Sequence, residues 1–250
     1  IASASVSKNP ASAGFFVIPI RYDLRMPNTH HLHDHERAAR QSLIDHCRAM
    51  NASGLSLNKS GNASIRWRDG LLITPTGRSY DRLQPEDIVF MQADGQCPSG
   101  QLLPSSEWRF HCDILQAFPD MNAVVHVHST HATALACLGE EIPAFHYMVA
   151  VAGGDRIPCA GYATFGTPEL SESIMHALQG GLRACLMGNH GQVSTGTSLS
   201  AAYALAEEVE NLARQYLLAR SLGHTRNLSS EEMAVVVEKF KTYGQQARPE

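Results

Sequence analysis

The run Val124-Val125-His126-Val127-His128 restricts what this chain can fold into more than any other stretch. Valine packs well on a pleated surface and loses side-chain freedom in a helix, so the run favours an extended strand. It is apolar apart from its histidines, so the strand is expected to be buried. Side chains alternate between the faces of a strand, which puts His126 and His128 on the same one. Two imidazoles on one side of a rigid backbone are half of a metal site, and three histidines with an open position are the usual form of catalytic zinc. The best candidate for the third is His190, in Met187-Gly188-Asn189-His190-Gly191. It follows a second apolar strand, Ala184-Cys185-Leu186-Met187, and Gly191 is expected to free the backbone to turn beside it. Glu107 adds a carboxylate, either a fourth ligand at rest or a general base in turnover. Hydrogen-bonded core histidines would account equally well for a lone His-x-His strand. The Asn-His-Gly turn after a second strand is what favours the metal.

At 250 residues the chain is long enough for one large domain with its own core. A net charge of -4 offers no basic patch for nucleic acid, and with 44% hydrophobic and 18% charged residues the composition is that of an ordinary globular protein. No apolar run approaches the roughly eighteen residues that a membrane span needs. The six cysteines are scattered without a C-x-x-C pair, and several sit in apolar segments where a thiol acts as a small hydrophobe. Such usage points to a reducing cytoplasm.

In chain order, residues 1–35 read as an N-terminal extension, poorly ordered, and residues 36–250 as the domain. The extension has no sustained period and ends in His30-His31-Leu32-His33-Asp34-His35, a tract that is expected to be solvated. Residues 34–53 have helical periodicity, with Ala38, Leu43, Ile44, Cys47 and Met50 on the inner face. Strands follow at Ala63–Trp67 and Leu71–Thr74 around an Asp69-Gly70 turn, and a third at Ile88–Met91. Ser105 is expected to cap a helix whose inner face carries Trp108, His111, Cys112 and Leu115. Helices are expected over 130–138, 168–178, 198–222 and 229–243. Residues 144–152 are apolar and fit a helix or a strand, and residues 162–167 read as a strand running into a loop. The alternation of strands and helices without a repeat or linker indicates one α/β domain.

Three polar turns could converge on an anion: Ser60-Gly61-Asn62, Thr76-Gly77 and Ser105-Ser106. Backbone N–H groups in such turns, with the positive end of a helix, hold a phosphate without a lysine. A phosphate at Ser105-Ser106 would hold a substrate within reach of Glu107 and the metal.

The motifs together resemble the class II aldolase/adducin family. They are Ser60-Gly-Asn-Ala-Ser-Ile-Arg66, Leu72-Ile-Thr-Pro-Thr-Gly77, Pro104-Ser-Ser-Glu-Trp-Arg-Phe-His111, the His-x-His strand, residues 146–150, residues 152–167, Asn189-His-Gly191 and the helix carrying Glu208-Val-Glu210. The resemblance spans about residues 36–222. It implies a three-layer fold with a central, mainly antiparallel sheet flanked by helices. It implies zinc on His126, His128 and His190, with Glu107 as acid/base, and phosphate-binding positions at Asn62, Thr76, Gly77, Ser105 and Ser106. It further implies a homotetramer with active sites at subunit interfaces. The family's aldolases place a proton-donating tyrosine in the C-terminal tail, where Tyr243 is the candidate by position.

The activity implied is retro-aldol cleavage of a ketose 1-phosphate, such as L-fuculose 1-phosphate, to dihydroxyacetone phosphate and an aldehyde. The epimerase branch of the family carries Asp at position 107, so Glu107 favours aldol chemistry or decarboxylation. A decarboxylase or dehydratase of a sugar-acid phosphate or an aromatic acid would use the same metal. A non-catalytic adducin-like binding protein would have no need of the histidines and Glu107. Asn189 departs from the His-His-Gly of the family's aldolases, next to a candidate ligand.

Overall fold

The structure, a computed structural model, describes residues 34–242. The extension up to residue 33, with most of its histidine tract, lies outside the described residues, as does Tyr243. Helix α1 occupies Asp34–Ala52 and is followed by the hairpin of β1 (Asn62–Trp67) and β2 (Gly70–Ile73), then β3 (Val89–Gln92). Helix α2 spans Trp108–Ala117, β4 Ala123–Val127 and α3 Thr130–Leu138. A 3-10 helix at Tyr147–Ala152, the two-residue strand β5 (Cys159–Ala160) and α4 (Pro168–Ala177) lead to β6 (Ala184–Met187) and β7 (Gly191–Gly196). Helices α5 (Leu199–Leu222) and α6 (Ser230–Phe240) end the described chain.

The seven strands form one sheet in the order β3-β2-β1-β4-β7-β6-β5, antiparallel except for the β5–β6 pair. Helices α1, α3 and α5 cover one face, where Val125 and Val127 meet Leu43, Ile44, Ala202 and Ala206. Helices α2 and α4 cover the other, where Val124 and Val193 meet Phe110, Ile114, Leu170 and Ile174. The three valines of β4 are fully buried, and each such side chain contributes about 1.5–3 kcal/mol when removed from water. A strand that is buried on both faces belongs in the middle of a sheet, and β4 sits between β1 and β7. This is the three-layer α/β architecture that the motifs imply.

Several local expectations change. Ala38 is exposed, and α1 instead buries Glu36 and Arg40 beside its apolar stripe. Arg40 bonds Glu36 and the backbone oxygen of Ile88, so the pair is covered because its charges are mutually satisfied. The β1–β2 turn is Arg68-Asp69, since Gly70 already pairs with Trp67 within the hairpin. The first residue of α2 is Trp108 and the cap position falls on Glu107, two residues past the expected Ser105, whose hydroxyl accepts the Glu107 N–H at 3.3 Å. Within residues 144–152, Tyr147–Ala152 form the 3-10 helix, with His146 as its cap. Residues 162–167 carry no strand; β5 lies just before them.

Strand β7 has no counterpart in the periodicity. Gly191-Gln-Val-Ser-Thr-Gly196 is half polar, yet all six residues are buried. Gln192 is stabilised there because its side-chain amide donates to the Ser129 hydroxyl (2.8 Å) and the Ala206 carbonyl (3.1 Å).

Candidate active site

The cross-strand register sets the site. On β4, His126 lies opposite Asn62 of β1 and Val193 of β7. His128 is just past the end of β4, two residues on and hence on the same side. His190 comes from the Gly188–His190 turn between β6 and β7. The three imidazoles form a nearly equilateral triangle, with ring centroids 4.8, 4.9 and 4.8 Å apart, and their ligand atoms all lie within 4.8 Å of one another.

Gly191 is required for space rather than for a turn. A Cβ there would come within 2.5 Å of the Val127 carbonyl and close to the rings of His128 and His126. The turning residue is Asn189, with φ 53°, in the left-handed region that asparagine tolerates better than most residues.

Nδ1 of His126 faces the Gln192 carbonyl at 2.9 Å and must donate to it. The ring is thereby oriented with Nε2 inward, 3.0 Å from Nε2 of His128. Two ring nitrogens so close need a proton or a cation between them. Glu107 points into the same space: Oε2 is 3.3 Å from His126 Nε2 and accepts from Asn62 Nδ2 at 3.0 Å. Its Oε1 lies 3.3 Å from His190 Nε2, but the alignment is not that of a hydrogen bond, and this buried oxygen has no hydrogen-bond partner. A buried carboxylate oxygen without a partner is costly unless something positive meets it. The triangle, the fixed tautomer and the orphaned oxygen fit a divalent metal ion held by His126, His128 and His190.

Burial, reinforced by the neighbouring His126, lowers His128 and His190 to about 4, so their lone pairs are available at neutral pH. Burial would also lower His126 and raise Glu107, but their mutual attraction outweighs it in both, raising the histidine and lowering the carboxylate.

A cleft of about 380 Å³ opens above this cluster. Asn62, Thr76, Gly77, Ser105, Ser106, Glu107, His128 and His190 all line it, so the three polar turns do converge. The Thr76 amide is already committed to the Leu103 carbonyl at 3.1 Å, leaving its hydroxyl as the group it offers. Lys59 also lines the cleft, so a cation stands beside turns that were expected to act without one. Tyr162 and Phe165, 67% and 64% exposed, form the rim.

His111 was legible only as a core position of α2. It is fully buried, with Ser64 Oγ 2.8 Å from Nδ1 and Asn62 Oδ1 2.5 Å from Nε2. The available signal was its spacing: Glu107 and His111 are four residues apart, neighbours on a helical face. Burial lowers His111 to about 3. Between that value and the ordinary 6.5, the unfolded chain binds a proton that the folded chain does not, so stability falls as pH drops through this window. Metal-free protein should lose up to roughly 4–5 kcal/mol from this residue between pH 6.5 and pH 3. Chemical denaturation along a pH series checks this, and a slope below pH 6 that is unchanged in His111→Gln would contradict it.

Residues 41–217 match the family model described as Class II Aldolase and Adducin N-terminal domain. The chain belongs to the class II aldolase family. Among its relatives is the 5-methylthioribulose-1-phosphate/5-deoxyribulose-1-phosphate aldolase of Rhodospirillum rubrum, 51% identical over 211 residues, which are 84% of this chain and 95% of that protein. The L-fuculose phosphate aldolase of Escherichia coli is 50% identical over 212 residues, covering 84% and 97%. A solved L-fuculose 1-phosphate aldolase superposes with a TM-score of 0.79 at 40% identity, covering 82% of this chain and 96% of that one. Class II aldolases are metal-dependent lyases, and the three-histidine cluster is where this member could hold a metal.

Proposed function

We propose that this class II aldolase cleaves a ketose 1-phosphate to dihydroxyacetone phosphate and a small aldehyde, using zinc on His126, His128 and His190. The observation that carries this reading is the orphaned Glu107 oxygen facing the histidine triangle at the floor of the cleft. A zinc ion there supplies electrostatic stabilisation of negative charge on the substrate oxygens. Glu107 is the acid/base. In the synthetic direction its carboxylate removes a proton from the carbon beside the carbonyl; in cleavage it returns that proton. Asn62, Thr76, Gly77, Ser105 and Ser106, with Lys59 beside them, anchor the phosphate. Anchoring at a fixed distance holds the reacting carbon against Glu107, and positioning of this kind is a large part of catalysis.

Tyr162 and Phe165 suit an aldehyde portion with an apolar end, as the names of the two relatives suggest: 5-deoxyribulose, methylthioribulose and fuculose phosphates. Exposed aromatics at the rim also suit a homotetramer whose subunit interfaces close the cleft, with Tyr243 as proton donor at the aldehyde end. Free cysteines, three of them buried, agree with a cytoplasmic location, and among the described residues no helix is long and apolar enough to cross a membrane.

The test is dihydroxyacetone phosphate release by zinc-loaded protein from L-fuculose 1-phosphate, 5-deoxyribulose 1-phosphate and 5-methylthioribulose 1-phosphate. At least one should be turned over at about 1 s⁻¹ or faster, within the ordinary range for enzymes. Silence on all of them with zinc bound would overturn the aldolase reading in favour of decarboxylation.

A further inference from the structure

Glu107 does not orient itself. Its carboxylate receives one side-chain hydrogen bond, from Asn62 Nδ2, and the other end of that amide meets a group outside the cleft. An asparagine amide can present either its oxygen or its nitrogen to a neighbour, and the local network decides which. Asn62 Oδ1 lies 2.5 Å from His111 Nε2, beneath the cleft floor and fully buried. The other ring nitrogen, Nδ1, lies 2.8 Å from the Ser64 hydroxyl. With Glu107 ionised, and so able only to accept, each contact is satisfied in only one arrangement. Ser64 donates to Nδ1, the imidazole carries its proton on Nε2 and donates to Asn62 Oδ1, and the amide nitrogen is left for Glu107 Oε2. With Oε2 held, Oε1 is left facing His190.

We propose that His111 is a positioning residue, acting through Asn62 to fix the orientation of the Glu107 carboxylate at the metal and cleft. The chain Ser64–His111–Asn62–Glu107 joins β1 to α2 by three hydrogen bonds among buried side chains. The proposal deepens the role given to Glu107 under Proposed function and rests on it.

Two replacements separate positioning from packing. Glutamine can place its amide nitrogen near the position of Nε2 and still donate to Asn62. Asparagine is shorter and reaches only the Ser64 side. His111→Asn should lower kcat by about 10- to 100-fold with KM within about twofold, the range seen when partners of metal-site residues are removed. His111→Gln should recover kcat to within about threefold of wild type. Zinc affinity, measured by competition with a chromophoric chelator, should follow the same order. In an Asn62→Ala background His111→Asn should cost little more, because the intermediary is already gone.

Equal impairment of the Asn and Gln variants, or full additivity with Asn62→Ala, would overturn the proposal. If His111→Asn does not fold, Ser64→Ala replaces it: a loss of kcat that disappears in the Asn62→Ala background supports the relay, and an additive loss refutes it. Zinc affinity keeps this separate from the substrate question. Wild-type protein silent on every ketose phosphate, with the affinity order intact, would refute the aldolase reading and sustain the relay.

Discussion

Glu107→Gln should lower kcat by about a thousandfold, in the middle of the range for loss of a general acid/base, while zinc content and fold persist. Glutamine has the shape of glutamate and keeps an oxygen that can accept from Asn62 Nδ2, so the contact seen at 3.0 Å survives. It loses the negative charge and the ability to carry a transferable proton. KM should change little, because the phosphate is held by other residues and ground-state binding is mostly retained. Turnover by steady-state kinetics, with metal content by elemental analysis and Tm by calorimetry, checks this. Activity within about tenfold of wild type would remove Glu107 from the role of acid/base.

Loss of the metal should have the second large effect. Stripping with a chelator is expected to reduce turnover to background, and re-addition of zinc should restore it. Tm should fall as well, since a ligand at about a thousand times its Kd stabilises the folded state by about 4 kcal/mol. His126→Ala should reproduce the loss of activity without recovery on adding zinc. It should be less stable than stripped wild type by about 2–4 kcal/mol, because the Gln192 carbonyl loses its donor and the Glu107 carboxylate its closest buried counterpart. A His126→Ala variant that binds zinc stoichiometrically would refute the ligand set.

The site was legible in the sequence where the chemistry is local. His126 and His128 share a face because of strand period alone, and the cluster with His190 forms as expected. The turns at 60–62, 76–77 and 105–106 were each weak signals and gain meaning only because the sheet brings them to one cleft. The elements missed are those whose justification is tertiary. Strand β7 has the composition of a loop, and only the partners of Gln192, on α3's cap and on α5, explain why it is stable in the middle of a sheet. Glu36 and Arg40 broke the apolar stripe of α1 for a similar reason: a charge is buried when its partner is buried with it. Gly191 was expected to serve backbone freedom and serves clearance instead, a distinction that needs the position of the Val127 carbonyl. His111 looked like core because it is core; its function depends on two hydrogen bonds to β1, a strand far away in sequence.

Strand β4 receives its neighbours from both directions along the chain. Asn62 reaches Glu107 across 45 positions on the N-terminal side, and His126 is oriented by a carbonyl 66 positions downstream. During synthesis, therefore, a ribosome-bound chain that has exposed the His-x-His strand still lacks a complete ligand set, and it stays incomplete until the β6–β7 turn has emerged. Contacts of such long range form late and slowly. A metal bound at the three histidines would then be captured by a finished sheet rather than nucleating one, unlike in small zinc domains whose folding depends on the ion. A cell short of that metal would then accumulate folded, inactive enzyme that can be rescued without new translation.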